Sequence, residues 1–320
     1  MIEYPQLPSG KRWLVTGAAG FIGSHLTEVL LSKGQSVTGL DNLSTGKISN
    51  LDEAVKTAGD KNFKFIEGSI TDLDTCRKAC EGVDYVLHHA ALASVPASMK
   101  DPVNYNEVNV SGFVNILQAA RENKIKRVVY ASSSAVYGDE DSPEKVENKI
   151  GKFLSPYAMT KYLNEVYAEF FTRVYGLECV GLRYFNVFGK RQDPNGAYAA
   201  VIPKWISAVK SGGLPVIYGD GTATRDFCAV QNIVKANFLA ALEHDAAGNV
   251  FNIGCGVSTS LNDLMKNIYE IFAPGREIKF KREAPRDGDI LHSSASIELA
   301  KKILKFEPVL YLKEGLKFLL

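Results

Sequence analysis

The chain has 320 residues, 46% of them hydrophobic and 23% charged, an ordinary globular composition that excludes a disordered or collagen-like chain. Lys and Arg total 37 against 36 Asp and Glu, so the basic excess that marks many nucleic-acid binders is missing and no nucleic-acid partner is expected. No apolar run reaches the roughly 18 residues of a membrane span, and residues 1–13 carry charges and two prolines where a secretory signal has an apolar core.

In chain order, residues 12–16 read as a strand, 21–33 as a helix, and 36–41 and 62–67 as strands. Residues 72–80 read as a helix, 83–88 as a strand, 104–123 as a helix and 127–132 as a strand. A long helix over 155–175 and a strand over 177–185 follow. Strands that alternate with helices need crossover connections, so the expected fold is α/β, a Rossmann-type doubly wound parallel sheet. Beyond Asn186 the alternation stops, and proline and glycine become frequent between Asp193 and Gly221. Helical segments recur at 202–210, 232–243 and 260–272, and 249–253 suits a returning edge strand. The expected division is a dinucleotide-binding domain over 1–186, with 232–256 returning to it. Segments 187–231 and 257–320 then form a smaller mixed α/β C-terminal substrate lobe.

The first strand runs into Thr16-Gly17-Ala18-Ala19-Gly20-Phe21-Ile22-Gly23. Glycines at 17, 20 and 23 allow a tight turn, close approach to a pyrophosphate and close packing of helix on strand. The helix N-terminus offers free N–H groups to the phosphates. Asp41 ends the second strand. A carboxylate there accepts hydrogen bonds from an adenine ribose and repels a 2′-phosphate, so the expected cofactor is NAD and not NADP.

Tyr157-Ala158-Met159-Thr160-Lys161 sets a phenol and an ammonium four apart on one helical face. A nearby ammonium and a positive nicotinamide ring both favour phenolate, so the Tyr157 pKa is expected to fall. The phenol could then take or return a hydroxyl proton while hydride moves. The fifth strand ends in Ser132-Ser133-Ser134-Ala135-Val136-Tyr137-Gly138, which puts hydroxyls at the sheet edge where ligands bind.

The glycine spacing, the Tyr–Lys pair and the serine run together resemble the extended short-chain dehydrogenase/reductase family. The resemblance implies catalytic roles for Ser133, Tyr157 and Lys161, with Ser134 as the near alternative to Ser133. It implies NAD contacts at Gly17, Gly20, Phe21, Ile22, Asp41, Asn42, Ser44, Thr45, Gly46, Ser69, Ile70, Ala90, Ala91, Ala93, Asn109, Tyr157, Lys161 and Tyr184. One departure is Gly68-Ser69-Ile70, where the family usually has Gly-Asp-Ile and the Asp binds the adenine amine.

Leu182-Arg183-Tyr184-Phe185-Asn186-Val187-Phe188-Gly189 is similar to the stretch that holds nicotinamide and sugar diphosphate in the family's nucleotide-sugar enzymes. Further matches follow in order: Ala200-Val201-Ile202-Pro203, Pro215-Val216-Ile217-Tyr218-Gly219, Arg225-Asp226-Phe227 and Arg286-Asp287-Gly288-Asp289. This likeness implies UDP-sugar contacts at Ser94, Ser133, Ser134, Tyr157, Asn186, Ala200, Val201, Trp205, Val216, Ile217, Tyr218, Arg225, Arg286, Asp289 and Ser293. Arg225 and Arg286 would clamp the diphosphate, because planar guanidinium forks match phosphate oxygens. Asp289 would take the ribose hydroxyls.

Dehydratases of the family carry Asp-Glu after the Ser/Thr position, and its decarboxylases carry a Glu nearby. Here Ser134 and Ala135 stand there, and neither can do that proton work, which favours 4-epimerisation of a UDP-hexose. Residues 89–96 and 196–205 are similar to the UDP-N-acetylglucosamine 4-epimerase group, and Ser293 stands where epimerases limited to plain hexoses have a bulky Tyr. The implied activity interconverts UDP-N-acetylglucosamine and UDP-N-acetylgalactosamine, with UDP-glucose and UDP-galactose as further substrates. The alternatives are an epimerase of another nucleotide sugar such as UDP-glucuronate, and a non-catalytic NAD-binding scaffold. A homodimer paired through 104–123 and 155–175 is implied as well. His88-His89 has no Cys or carboxylate partner in the sequence pattern, so no metal is expected. The five scattered cysteines read as reduced thiols of a cytoplasmic protein.

Overall fold

Strand β1 (Arg12–Thr16) sends Trp13 and Val15 into one layer and Leu14 into the other, all fully buried. The computed structural model describes residues 2–59, 61–194, 200–285 and 291–320. The same sorting recurs in β2 (Ser36–Asp41), β3 (Phe63–Glu67), β4 (Tyr85–His88), β5 (Arg127–Ser133), β6 (Glu178–Tyr184) and β7 (Val250–Ile253). These seven strands form one parallel sheet in the order β7-β6-β5-β4-β1-β2-β3. The chain reverses its direction of winding between β1 and β4, which opens a crevice at the strands' C-terminal ends.

Helices cover both faces, as a parallel sheet requires. On one side lie α1 (Phe21–Ser32), α2 (Ile48–Ala58) and, from later in the chain, the helix Val230–Leu242. Leu26, Leu51 and Phe238 from these pack on Trp13, Val15 and Val129. On the other side lie α3 (Leu73–Cys80), α4 (Gly112–Glu122) and α5 (Pro156–Tyr175), whose Ala79, Phe113 and Phe171 pack on Leu14, Val86 and Val128. Helix α2 is absent from the expected elements. Ile48, Leu51, Val55 and Ala58 recur at helical spacing, and Leu51, Val55 and Ala58 pack on the core. The helix expected over 104–123 is broken into Pro102–Asn106, a π-helical turn Glu107–Ser111, and α4. The wider turn holds Asn109, which is buried.

A third core gathers α6 (Val201–Lys210), Ile217, Phe227 and the later helix Leu261–Phe272. Beside it, strand Thr224–Arg225 lies between Thr259–Ser260 and His292–Ala295, and the last of these also pairs with Glu144–Lys145. Asp226 stitches these parts together. Its fully buried carboxylate accepts from the N–H groups of Cys255 at 2.8 Å, Gly256 at 2.9 Å and Ala295 at 3.2 Å. A buried carboxylate without such donors would be costly. Among the described residues no helix is long and apolar enough to cross a membrane.

Candidate active site

The turn after β1 leaves no room for a side chain at Gly17 or Gly23. Gly17 has φ +67, and a Cβ there would lie 2.7 Å from Ala90 N. A Cβ on Gly23 would lie 2.1 Å from Gly17 O. Helix α1 starts at Gly20, which has no side chain to cap it, so its first N–H groups are open to an anion. This turn forms one end of a cleft of about 490 Å³ along the C-terminal edge of the sheet. Gly20, Phe21, Ile22, Asp41, Asn42, Ser44, Thr45, Ser69, Ile70, Ala90, Ala91 and Ala93 line it, together with Ser133, Tyr157, Lys161, Tyr184, Asn186 and Ala200. The cradle, the uncapped helix and the carboxylate at the end of β2 fit an adenine dinucleotide.

Asp41 is held by the backbone. Its Oδ2 accepts from Ala19 N at 2.9 Å and its Oδ1 from Leu43 N at 2.8 Å. Ionised carboxylates have about four acceptor sites, so two bonds orient the group without exhausting it. Gly46 packs behind it, and a Cβ there would touch Ala19 and Asp41. Ser69 Oγ is engaged in its own turn, 2.8 Å from Thr71 Oγ1 and 3.2 Å from Thr71 N. Asn109 stands behind the cleft wall, outside the lining. Its amide bonds Leu92 N at 2.8 Å, Leu92 O at 3.0 Å and Thr160 Oγ1 at 3.1 Å, bolting the loop after β4 to α5.

Helix α5 begins sharply because Ser155 Oγ accepts from Ala158 N at 3.2 Å and Pro156 takes the first helical position. Tyr157 and Lys161 therefore face β5, both buried. Lys161 Nζ donates to Ala131 O at 2.9 Å, and burial lowers its pKa to about 8. At Tyr157 the chain's own surroundings act, on balance, in the opposite sense to the charge of a nicotinamide ring. Burial raises its pKa, the hydrogen bond with Ser133 opposes the rise, and Tyr105 adds to it. The desolvation of a buried phenolate outweighs what the chain's own groups return. Ser133 Oγ also accepts from Ala135 N at 3.1 Å, while Ser134 opens the following turn Ser134–Tyr137, outside the lining.

On the sugar side, Asn186 sits at φ +25, a conformation that costs a non-glycine residue on the order of 1–3 kcal/mol. Its Nδ2 donates to Asp226 O at 3.1 Å. Arg225 and Ser293 are register partners on adjacent strands, so their side chains share a face. Trp205 and Ile217, expected to meet the substrate, are core residues: Trp205 donates to Val216 O at 3.1 Å and Ile217 is fully buried. Val216 and Tyr218 alternate to the opposite face, and Val201 opens α6 against the same core. Ser94 caps the short helix Val95–Lys100, its Oγ accepting from Ala97 N at 3.2 Å. Arg286 and Asp289 lie outside the described residues.

His88 Nδ1 lies 2.9 Å from Thr16 Oγ1, and His89 Nε2 lies 2.9 Å from Tyr184 OH. Burial pulls His89 down to about 3, so it is neutral. Among the described residues no cluster of three or more metal-ligating side chains occurs. Sequence reasoning did not single out Gln192, Leu92 and Val108, which line the cleft, or the Glu165–Arg183 pair behind it. For Glu165 a signal existed: it lies one further helical turn along the stripe of Tyr157 and Lys161.

The profile of the NAD dependent epimerase/dehydratase family matches residues 13–254. The chain is 41% identical to the UDP-N-acetylglucosamine 4-epimerase of Methanobrevibacter ruminantium M1, solved in complex with UDP-N-acetylmuramic acid. Those two folds agree with a TM-score of 0.90 over 98% of this chain and 99% of that one. The chain is 38% identical over 307 residues to the UDP-glucose 4-epimerase of Mycolicibacterium smegmatis, covering 95% of this chain and 96% of that protein. It is 34% identical over 314 residues to the UDP-glucuronate 4-epimerase of Thermodesulfobacterium geofontis, covering 95% of this chain and 94% of that protein.

The Gly17–Gly23 contact makes one outcome testable. Gly23→Ala forces the turn to shift, and overpacking of this kind costs about 1–3 kcal/mol. NAD affinity measured by calorimetry should fall by at least about fivefold. Unchanged affinity would mean that this turn does not hold the pyrophosphate.

Proposed function

The chain belongs to the NAD dependent epimerase/dehydratase family, and we propose that it interconverts UDP-N-acetylglucosamine and UDP-N-acetylgalactosamine. It is an NAD-dependent UDP-sugar 4-epimerase, so a hydride must leave carbon 4 and a proton its hydroxyl, and both must then return, the hydride to the other face. Bound NAD supplies the hydride acceptor and, when oxidised, a positive charge in the cleft. The proton work falls to Tyr157, whose buried phenol lines the cleft. An opposite charge nearby favours the ionised form of a buried phenol. Ser133, hydrogen-bonded to Tyr157, orients it toward the 4-hydroxyl. Lys161 keeps donors beyond the one given to Ala131 O, since an ammonium has three. Ser134 and Ala135 carry no acid or base for elimination or decarboxylation, which supports epimerisation as the whole reaction.

Ser293 carries the choice of sugar. It shares a face with Arg225, the residue we assign to the diphosphate, and its small side chain leaves volume for an N-acetyl group. Asn186, Ala200 and Tyr218 complete our assignment of the sugar side. We take residues 1–186 with 232–256 as the cofactor-binding part, and 187–231 with 257–320 as the UDP-sugar part; the separate third core supports this division. UDP-glucuronate is the second reading, favoured by the likeness to the Thermodesulfobacterium geofontis enzyme.

The homodimer is supported by a stripe on α5. Met159, Val166, Phe170 and Val174 are each 38–50% exposed at spacings that share one helical face. Met99 and Val103 are exposed as well. Apolar patches of this kind mark interfaces. The five buried cysteines are unpaired, which supports a cytoplasmic location.

Purified protein without added NAD, given UDP-N-acetylglucosamine, UDP-glucose and UDP-glucuronate in turn, should show its highest kcat/KM on the first. A faster reaction with UDP-glucuronate would overturn the sugar assignment. Tyr157→Phe should lower kcat by about 10²–10⁴-fold, the usual contribution of a general acid–base group, with the fold retained by circular dichroism. Ser293→Tyr should lose about 5- to 150-fold on UDP-N-acetylglucosamine relative to UDP-glucose, the equivalent of about 1–3 kcal/mol of overpacking. An unchanged substrate ratio would put Ser293 outside the pocket. Light scattering should give twice the 35.0 kDa chain mass, and Phe170→Glu should give the single chain.

A further inference from the structure

Helix α5 meets strand β5 through one stripe of side chains. Tyr157, Lys161 and Glu165 follow one another at four-residue spacing, so they lie above one another on the helix. They reach three consecutive residues at the end of the strand. Lys161 Nζ donates to Ala131 O at 2.9 Å, Ser132 Oγ donates to Glu165 Oε1 at 2.5 Å, and Tyr157 is hydrogen-bonded with Ser133. Glu165 is gripped in turn by Arg183, the register partner of Ser132 on β6. Arg183 donates from Nε to Oε1 at 2.9 Å and from a terminal nitrogen to Oε2 at 2.7 Å. Both side chains are almost fully buried. Arg183 also donates to Tyr137 OH at 3.0 Å and Glu147 O at 2.9 Å, and Tyr137 OH donates to Asn252 Oδ1 at 2.6 Å.

We infer that Glu165 is a positioning residue, which sets the distance between Tyr157 on the helix and Ser133 on the strand by clamping Ser132 to Arg183. The inference rests on the reading of Tyr157 as the proton carrier. A buried ion pair adds little stability over apolar side chains of the same size, so packing alone does not call for one here. A two-pronged Arg–carboxylate contact instead fixes direction as well as distance. Apolar contacts fix a helix by shape and carry no such directional bond. A shift of about 1 Å at reacting groups costs on the order of 10²-fold.

The test uses Ser132→Ala, which cuts the clamp but leaves the ion pair, and the double variant Glu165→Met with Arg183→Met, which refills the core. Both should fold, and both should show kcat lowered about 10- to 100-fold with KM for the UDP-sugar within about twofold of wild type. Glu165→Gln, if it folds with Arg183 unpaired, should behave alike. Wild-type kcat in either of the first two variants, or a loss confined to thermal stability, would make the network structural and overturn the inference. Tyr157→Phe runs beside them. Near-normal turnover there would remove the underlying reading. A crippled Tyr157→Phe with an active Ser132→Ala would remove only the positioning role.

Discussion

Seven strands that all run the same way end along a single edge. That constraint comes from parallel backbone pairing, and the rest of the molecule follows from it. Each connection must cross back over a face of the sheet, so helices cover both faces and the strands between them are buried. At the shared edge, the Gly17 turn, Asp41, His89, Ser133 and Tyr184 come from five different strands and line one cleft. No two of these strand ends are neighbours in the sequence, yet the sheet sets them side by side.

A dry edge penalises charge, and the chain answers in two ways. Groups that can lose their charge are pushed toward neutrality: Lys161 falls to about 8, His89 to about 3, and Tyr157 rises. Carboxylates are held by donors. Asp41 takes two backbone N–H groups, Asp226 takes three, and Glu165 takes an arginine fork and a hydroxyl. The cleft and the shell behind it are thus organised by fixed dipoles and paired ions, the kind of arrangement that stabilises charge in a water-poor site.

The C-terminal parts join this edge through polar links. Asn186 reaches Asp226, and Asp226 reaches the loop after β7 and the strand that carries Ser293. Asn252 on β7 donates to Lys145 O at 2.8 Å and Ser296 O at 3.1 Å and accepts from Tyr137. The network behind Tyr157 therefore runs on into the strands next to Ser293. Burial makes such links specific, because an unpaired polar group in the same place is expensive.

Much of this was legible in the sequence, and the divide follows the range of the forces. The strands at 12–16 and 36–41, the starts of the helices at 72 and 155, and the glycine turn depend on side-chain patterns and missing Cβ atoms within a few residues, so the sequence by itself determined them. It also determined the Tyr157–Lys161 spacing, which is one turn of one helix. Helix α2 was legible too, since Ile48, Leu51, Val55 and Ala58 recur at helical spacing, whereas the π-helical turn at Asn109 depends on tertiary contacts that pay no heed to helical period. The core placement of Trp205 and Ile217, the pairing of Arg225 with Ser293, and the upward shift of the Tyr157 pKa were decided by tertiary structure alone. Each depends on what lies within a few ångströms across the fold, between residues far apart in the chain, and no local pattern encodes that.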